Sequence, residues 1–290
     1  MENIINLKFM KIKILHHPKV LLIAAALVLS GSCTSKRAET QETLEEKAVQ
    51  IKVAAYNVEY SDKGTAWEIG KALKPYNFDI VCFSEAPGGD WTKEVGTVIG
   101  LDHVVVGKYS TAGHQDKYKT IASRTPLTDY EEVLMADTLH TATRAKTTID
   151  GKEIVLYAVH FPFGWRDQAH IDETTGKVTA FVNYLKARQA DEISIAMGDF
   201  NFVVSNIDYI SPYYEMFRDI GMDASWPELN IDVTPLGTMV NFEPEQNPNG
   251  EVIDHIMYNT KKVSAVDGQI IEMERPLSDH KPVWATLLIK

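Results

Sequence analysis

Asn57, Glu85, Asp199, Asn201, Asp254, Asp279 and His280 sit where apolar runs of the chain end or are interrupted. All are hard oxygen donors or imidazoles. A small hard cation such as Mg²⁺ takes one or two carboxylate or amide oxygens and fills its remaining positions with water and substrate phosphate. Asn57 follows Val53-Ala54-Ala55-Tyr56, and Glu85 closes Ile80-Val81-Cys82-Phe83-Ser84, so two such donors arrive at the ends of two neighbouring strands. In Gly198-Asp199-Phe200-Asn201 the glycine permits a sharp turn. Asp199 and Asn201, two apart, are expected to point the same way, orienting a water and holding a phosphoryl oxygen. Asp254 interrupts Val252-Ile253 and Ile256-Met257, and a carboxylate in such a run is costly unless paired. His280 is the natural partner, because a buried Asp fixes the tautomer of a histidine and stabilises its imidazolium. Each residue alone has an ordinary reading as a turn, a cap or a satisfied core side chain. Together they point to metal-assisted hydrolysis of a phosphoester.

Strands are predicted over 51–60, 79–84, 103–108, 118–123, 141–149, 153–160, 193–197, 252–258 and 282–289, from β-branched and aromatic runs bounded by Gly, Pro, Asp and Asn. Asp150-Gly151 is a hairpin signal between two of them. Helical spacing covers 65–74, where Ile69 and Leu73 share a face, 175–190 and 207–220. Strict strand-helix alternation fails over 118–160, where three strands run on without a helix. The pattern predicts an α/β sandwich of two packed, mainly antiparallel mixed sheets flanked by helices.

Asn57, Glu85, the run Ile121-Ala122-Ser123-Arg124-Thr125-Pro126-Leu127, His160, Gly198-Asp199-Phe200-Asn201, Ile253-Asp254 and Ser278-Asp279-His280 resemble, in order, the motif series of the endonuclease/exonuclease/phosphatase superfamily. The resemblance spans 51–290. It implies a four-layered, deoxyribonuclease I-like sandwich and Mg²⁺-assisted phosphoester hydrolysis, with Mn²⁺ as an alternative ion. By position it implies that Glu85, Asn57 and Asp279 form the metal site. Asp199 and Asn201 would orient the attacking water and the phosphate, and His280, held by Asp254, would meet charge at phosphorus. His160 resembles the histidine of the deoxyribonuclease I-like and sphingomyelinase-like branches, which implies phosphate binding and help in protonating the leaving group. Arg144 resembles a phosphate-contacting arginine of the same branches. Phe202 and Val203 stand where inositol polyphosphate phosphatases carry an arginine, and the disulfides of secreted deoxyribonuclease I have no counterpart. His255 replaces an aromatic and reads as structural. His103, His114, His140 and His170 fit no motif and read as surface or satisfied residues.

Lys8, Lys11, Lys13 and Lys19 precede the apolar run 20–29, and small residues then lead to Cys33. That order predicts a secretory signal over 1–32, whether the chain starts at Met1 or Met10. Leu29-Ser30-Gly31-Ser32-Cys33 resembles the lipobox of bacterial lipoproteins, which implies lipidation of Cys33 and a membrane anchor; plain cleavage is the alternative. Residues 33–50 read as a flexible tether and 51–290 as the catalytic domain, expected to be a monomer in the cell envelope, on the periplasmic or outer-membrane side. Cys82 is then alone, which excludes an internal disulfide and a multi-thiolate metal site.

Charge narrows the partners. The 29 basic against 40 acidic residues give −11, and loss of the leader makes it −14. A protein gripping a long polyanion normally carries a basic face, so the acidic balance disfavours nucleic acid. A small or lipid-borne phosphoester is the expected substrate, an envelope nuclease the first alternative, and a non-catalytic binding module of the same fold the second. Specificity is expected in loops 88–100, 110–117, 161–174 and 231–250. In particular, the Phe161-Pro162-Phe163-Gly164-Trp165 stretch would either recognise a leaving group or pack on its own domain.

Overall fold

The computed structural model describes residues 48–163, 167–204, 211–233, 235–239 and 251–290; the expected signal, Cys33 and most of the expected tether lie outside them. The described residues belong to one compact unit. In chain order its elements are β1 (Val49–Asn57), α1 (Ala66–Leu73), β2 (Ile80–Ala86), α2 (Trp91–Ile99), β3 (His103–Val106), β4 (Tyr118–Ser123), β5 (Thr128–Leu134), β6 (Thr141–Ile149) and β7 (Lys152–His160). They continue with α3 (Gln168–Lys186), β8 (Ser194–Asp199), α4 (Pro212–Asp219), β9 (Met222–Ala224), α5 (Ser225–Glu228), β10 (Asp254–Asn259), β11 (Val263–Ile270) and β12 (Val283–Ile289).

Two six-stranded sheets result, ordered β11-β12-β1-β2-β4-β3 and β5-β6-β7-β8-β10-β9. Each has one parallel pair at its centre, β1 with β2 and β7 with β8, and antiparallel neighbours outside it. Alternation along β1 explains the layering. Val53 and Ala55 join Ile80, Cys82 and Ile121 in the core shared with the second sheet, whereas Ala54 and Tyr56 join Val81 and Phe83 under α1 and α2. On the far side, α3 and α4 cover the second sheet through Phe181 and Phe217, with ring centroids 5.7 Å between Tyr157 and Phe181 and 6.2 Å between Phe181 and Phe217. The result is the four-layered α/β sandwich expected from the sequence.

Several elements differ from the expectation. Strand β1 starts at Val49, so Val49 and Gln50 belong to the sheet and not to the tether. Four strands, not three, run from β4 to β7, because the strongly charged β5 pairs as an exposed edge that apolar patterning cannot flag. Strands β9 and β11 were likewise unmarked, β9 being only three residues long. Part of the expected loop 88–100 is helix α2, which buries Trp91 and Val95 and stops at Gly100 with φ +84°. Its glycines suggest a loop, but Gly96 is there because a Cβ would stand 2.3 Å from the Leu101 carbonyl oxygen. Helix α3 absorbs residues 168–174 of another expected loop, capped by the Asp167 carboxylate.

Candidate active site

Strand register alone assembles half of the site. His160 is level with Asp199 in the parallel pair β7 and β8, and Asp254 is level with Asp199 in the antiparallel pair β8 and β10. Three chemistry-bearing residues therefore stand side by side at one edge of the second sheet. In the first sheet, Asn57 is level with Ser84 at the same edge. Ser84 joins the sheets: its hydroxyl donates to the Val159 carbonyl at 2.9 Å and accepts from the Asp199 amide at 3.3 Å. Gly198 makes this approach possible, since its φ of +145° and a Cβ site 2.1 Å from the Val159 oxygen exclude any side chain. Glu85 is aimed by an irregularity in β2, where register with β4 shifts between Phe83 and Ala86 and Glu85 itself takes φ +52°. Such strained backbone in a strand clusters where a side chain must be redirected.

The last arm comes from the segment before β12. The Ser278 hydroxyl donates to the Asn57 carbonyl at 2.7 Å and accepts from the His280 amide at 3.1 Å, while His280 bridges to Met239. His280 Nδ1 donates to Asp254 Oδ2 at 2.7 Å. Its Nε2 lies 3.8 Å from Asp199 Oδ2, and His160 Nε2 lies 3.5 Å from that same oxygen. Asn57 Nδ2 donates to Asp199 Oδ2 at 3.0 Å and to Glu85 Oε1 at 3.4 Å, and His160 Nε2 is 3.8 Å from Glu85 Oε1. Asn57, His160 and His280 thus face one oxygen of Asp199, Glu85 and Asp254 stand behind them, and the Asp279 amide donates to Glu59 Oε2 at 3.0 Å.

The two imidazoles differ in charge. Burial alone would lower His280, but Asp254 and Asp199 outweigh it and raise it to about 10, an imidazolium at neutral pH. His160 has no comparable partner, and burial lowers it to about 3 despite Glu85. Burial thus holds His160 toward the neutral form, whereas its two neighbouring carboxylates hold His280 in the charged one. Burial also pushes the Asp199 carboxyl up, with Asp254 adding to the push and His280 opposing it. Asp279 is raised by burial and by the nearby Glu59 and Glu85.

Some expected residues are arranged differently. Arg144 is not in the group. It pairs with Tyr157 in register, the opposite parity from His160, so alternation turns it to the outer face of the sheet. There its guanidinium meets Glu192 at 2.8 Å and Glu131 at 3.7 Å. Asn201 lies past the end of β8 with φ +52°, so strand alternation does not govern it. Its amide nitrogen donates to Asp199 Oδ1 and its Nδ2 to the Phe161 carbonyl, both at 2.8 Å, so it fixes Asp199 through the backbone. Phe161 is fully buried against Phe181, Phe200 and Phe217 and is core, not a recognition surface; Trp165 lies outside the described residues. His255 is structural, as expected: Nδ1 accepts from Trp226 Nε1 at 3.1 Å and Nε2 donates to the Phe202 carbonyl at 2.7 Å.

Sequence reasoning missed four residues here. Besides Ser84 and Glu59, the Lys117 ammonium pairs with Glu85 Oε2. Thr238 Oγ1 accepts from the amides of Ile253 and Asp254 at 3.1 and 3.3 Å. His140 is a satisfied residue, as expected, buried with Nδ1 3.2 Å from the His160 carbonyl oxygen. Of the four, only the closeness in sequence of Ser84 to Glu85 and of Glu59 to Asn57 was a usable signal.

The donor set suits a divalent ion. Glu59, Glu85, Asp199, Asp254 and Asp279 converge with Lys63, Lys117 and His280 among the nearby cations, and Asp279 is raised by burial first and by Glu59 and Glu85 besides. Asp199, Asp254 and His280 each offer an atom within 4.8 Å of one another, a geometry open to an ion. Yet Asp254 Oδ2 and His280 Nδ1 are already spent on each other, and a hard cation prefers oxygen. Glu85, another hard oxygen donor here, lends Oε2 to Lys117 and faces Asn57 Nδ2 with Oε1.

A family model described as endonuclease/exonuclease/phosphatase matches residues 54–280. The chain belongs to that family. Solved structures of the endonuclease/exonuclease/phosphatase family superpose on it. One from Beutenbergia cavernae has TM-score 0.70 at 16% identity, covering 83% of this chain and 72% of its own. A 3′ phosphatase from Neisseria bound to product DNA hairpin has TM-score 0.63 at 20% identity, covering 81% and 98%. A mannosyl-6-phosphatase from Bacteroides thetaiotaomicron has TM-score 0.61 at 18% identity, covering 82% and 99%. At these identities what they share with this chain is the deoxyribonuclease I-like sandwich. No curated protein matches by sequence.

Proposed function

We propose that this member of the endonuclease/exonuclease/phosphatase family is a metal-dependent phosphoester hydrolase acting on a small or lipid-borne substrate. The observation that carries the reading is one carboxylate oxygen, Asp199 Oδ2, faced by a charged and a neutral imidazole beside Glu85. Asp199, held by Asn57 Nδ2 and the Asn201 amide, is oriented to take the proton of an attacking water, and its raised pKa suits it to that role. His280 then donates from Nε2 to the charge that builds on a phosphoryl oxygen, while Asp254 keeps it protonated. His160 donates a hydrogen bond from Nε2 without giving up its proton. Mg²⁺ or Mn²⁺ held by Glu85 and Asp279 would supply Lewis acidity and offset charge on the leaving oxygen. Asn57 keeps the two carboxylates Asp199 and Glu85 apart and oriented through its Nδ2.

The test is hydrolysis of mono- and diester reporters with Mg²⁺ or Mn²⁺. Turnover that chelation and His280→Ala both abolish supports the reading; turnover indifferent to His280 sinks it. The leader supports a further part of the proposal, export and lipid anchoring through Cys33, which fatty-acid labelling of wild type and Cys33→Ala would check. DNA or RNA cleavage is the second reading, favoured by an AP endonuclease from Archaeoglobus fulgidus among the structural relatives and opposed by the acidic balance. A plasmid-nicking assay that stays blank even at low salt would remove it.

A further inference from the structure

Lys117 carries a charge into the site that none of the steps above uses. Its ammonium rests on Glu85 Oε2, the carboxylate whose other oxygen faces Asn57 Nδ2 at 3.4 Å and His160 Nε2 at 3.8 Å. The backbone that delivers it is pinned. Lys117 N donates to Ser110 Oγ at 2.9 Å, and its carbonyl accepts from Thr111 N at 2.8 Å. The preceding residue, Asp116, ties this loop to both neighbours of the site: Oδ1 accepts from Gly88 N at 2.9 Å and Oδ2 from the Tyr60 hydroxyl at 3.3 Å. Gly88 lies just beyond Glu85 and Tyr60 just beyond Asn57, so the base of Lys117 is fixed against the two segments that present the site.

The head of the side chain is not fixed in the same way. Lys117 is 26% exposed and Glu85 17%, so the pair sits at the mouth and not in the core. Lysine is a compact point charge on a flexible four-carbon stem, able to swing between partners without moving its backbone. A carboxylate can neutralise an ammonium or a divalent ion, but two cations on the same oxygens repel. An ammonium freed from Glu85 stays tethered within a side chain's length of Asp199, His160 and Glu85, where a phosphate must arrive for the chemistry proposed above.

We propose that Lys117 is a substrate-recognition residue that neutralises Glu85 in the free protein and passes to an anionic phosphate oxygen once a divalent cation takes Glu85. The inference rests on the hydrolase reading and adds the side chain that greets the phosphate. It makes Lys117 a competitor of the cation and an ally of the phosphate, so one substitution must move two affinities in opposite directions.

Titration calorimetry on the full chain reads both, first with Mg²⁺ alone and then with inorganic phosphate at saturating Mg²⁺. Lys117→Met is expected to bind Mg²⁺ about tenfold more tightly and phosphate about tenfold more weakly than wild type, the scale of a partly buried charge-assisted contact. Lys117→Arg keeps the charge and should stay within about threefold of wild type on both. Lys146→Met removes an equal charge that pairs with Asp129 and Glu153, and it should shift either affinity by less than about twofold if contact rather than general field is at work. Unchanged Mg²⁺ or phosphate affinity in Lys117→Met, or equal shifts in Lys146→Met, overturns the inference and leaves the hydrolase reading standing. Absence of Mg²⁺ binding in wild type and in Lys117→Met alike removes the metal-dependent reading and this inference with it.

Discussion

The His280 side and the His160 side of the site present the same imidazole to the same carboxylate oxygen, yet one is charged and the other is not. Behind His280 stands Asp254, fully buried and bonded to Nδ1 at 2.7 Å. Behind His160 there is no such anion: its Nδ1 has no hydrogen-bond partner among the described residues, and the edge of the His140 ring lies 6.4 Å away between centroids. Burial is common to both and by itself favours the neutral form. What separates them is the group on the far nitrogen. A site that must both meet negative charge and hydrogen-bond without competing for protons can build the two roles from one residue type by changing only that partner.

Substitutions break this comparison in order of severity. His280→Ala should lower kcat/KM by about 10³-fold, and Asp254→Asn by a similar factor, in steady-state assays with a phosphoester reporter. Because the two act as one unit, the double variant should be little worse than either single, and losses that multiply would dissolve the pair. His160→Gln should cost less, about 10²-fold, because a neutral donor is lost rather than a charge. An equal loss at both positions would erase the asymmetry.

The pH dependence of stability sharpens the same contrast. His280 is raised from 6.5 to about 10, so its contribution is fully present below 6.5 and is lost as pH rises through about 10. His160 is lowered from 6.5 to about 3, so the unfolded chain takes up the proton first and stability is lost as pH falls from 6.5 toward 3. Urea midpoints across pH should therefore lose their alkaline slope in His280→Gln and part of their acid slope in His160→Gln. Swapped slopes would reverse the assignment.

The smallest effect on activity is expected at Arg144. Arg144→Met leaves the half-buried Glu192 carboxylate short of its cation and should cost about 2 kcal/mol in chemical denaturation. Reporter kcat/KM should remain within about twofold, since the residue is on the opposite face from His160 and shares no partner with the site. A selective rise in KM would return Arg144 to the phosphate.

The comparison also marks what could be read in advance. Asp254 was legible as a carboxylate that needs a partner because it breaks an apolar strand, and His280 as that partner through the motif order. The strands β4 and β6 were legible to the residue because apolar and β-branched runs end in clear turn signals. Helix α2 was hidden by glycines whose reason is the close approach of Leu101, and β5 by charges that an edge strand tolerates. Arg144 resembles a phosphate contact by position, but its register with Tyr157 and not with His160 turns it to the outer face. Lys117 was invisible because an exposed-looking lysine in a loop has no pattern until the loop is folded.

Residue types and their order were enough to determine the family, the sandwich and most of the side chains that meet at the candidate site, because hard donors at the ends of buried strands are too costly to occur by accident in that sequence. Tertiary structure alone decided which of them share one oxygen, which histidine is charged, and which cation lies on Glu85. Those are properties of distance and burial between segments far apart in the chain, and a one-dimensional pattern carries neither.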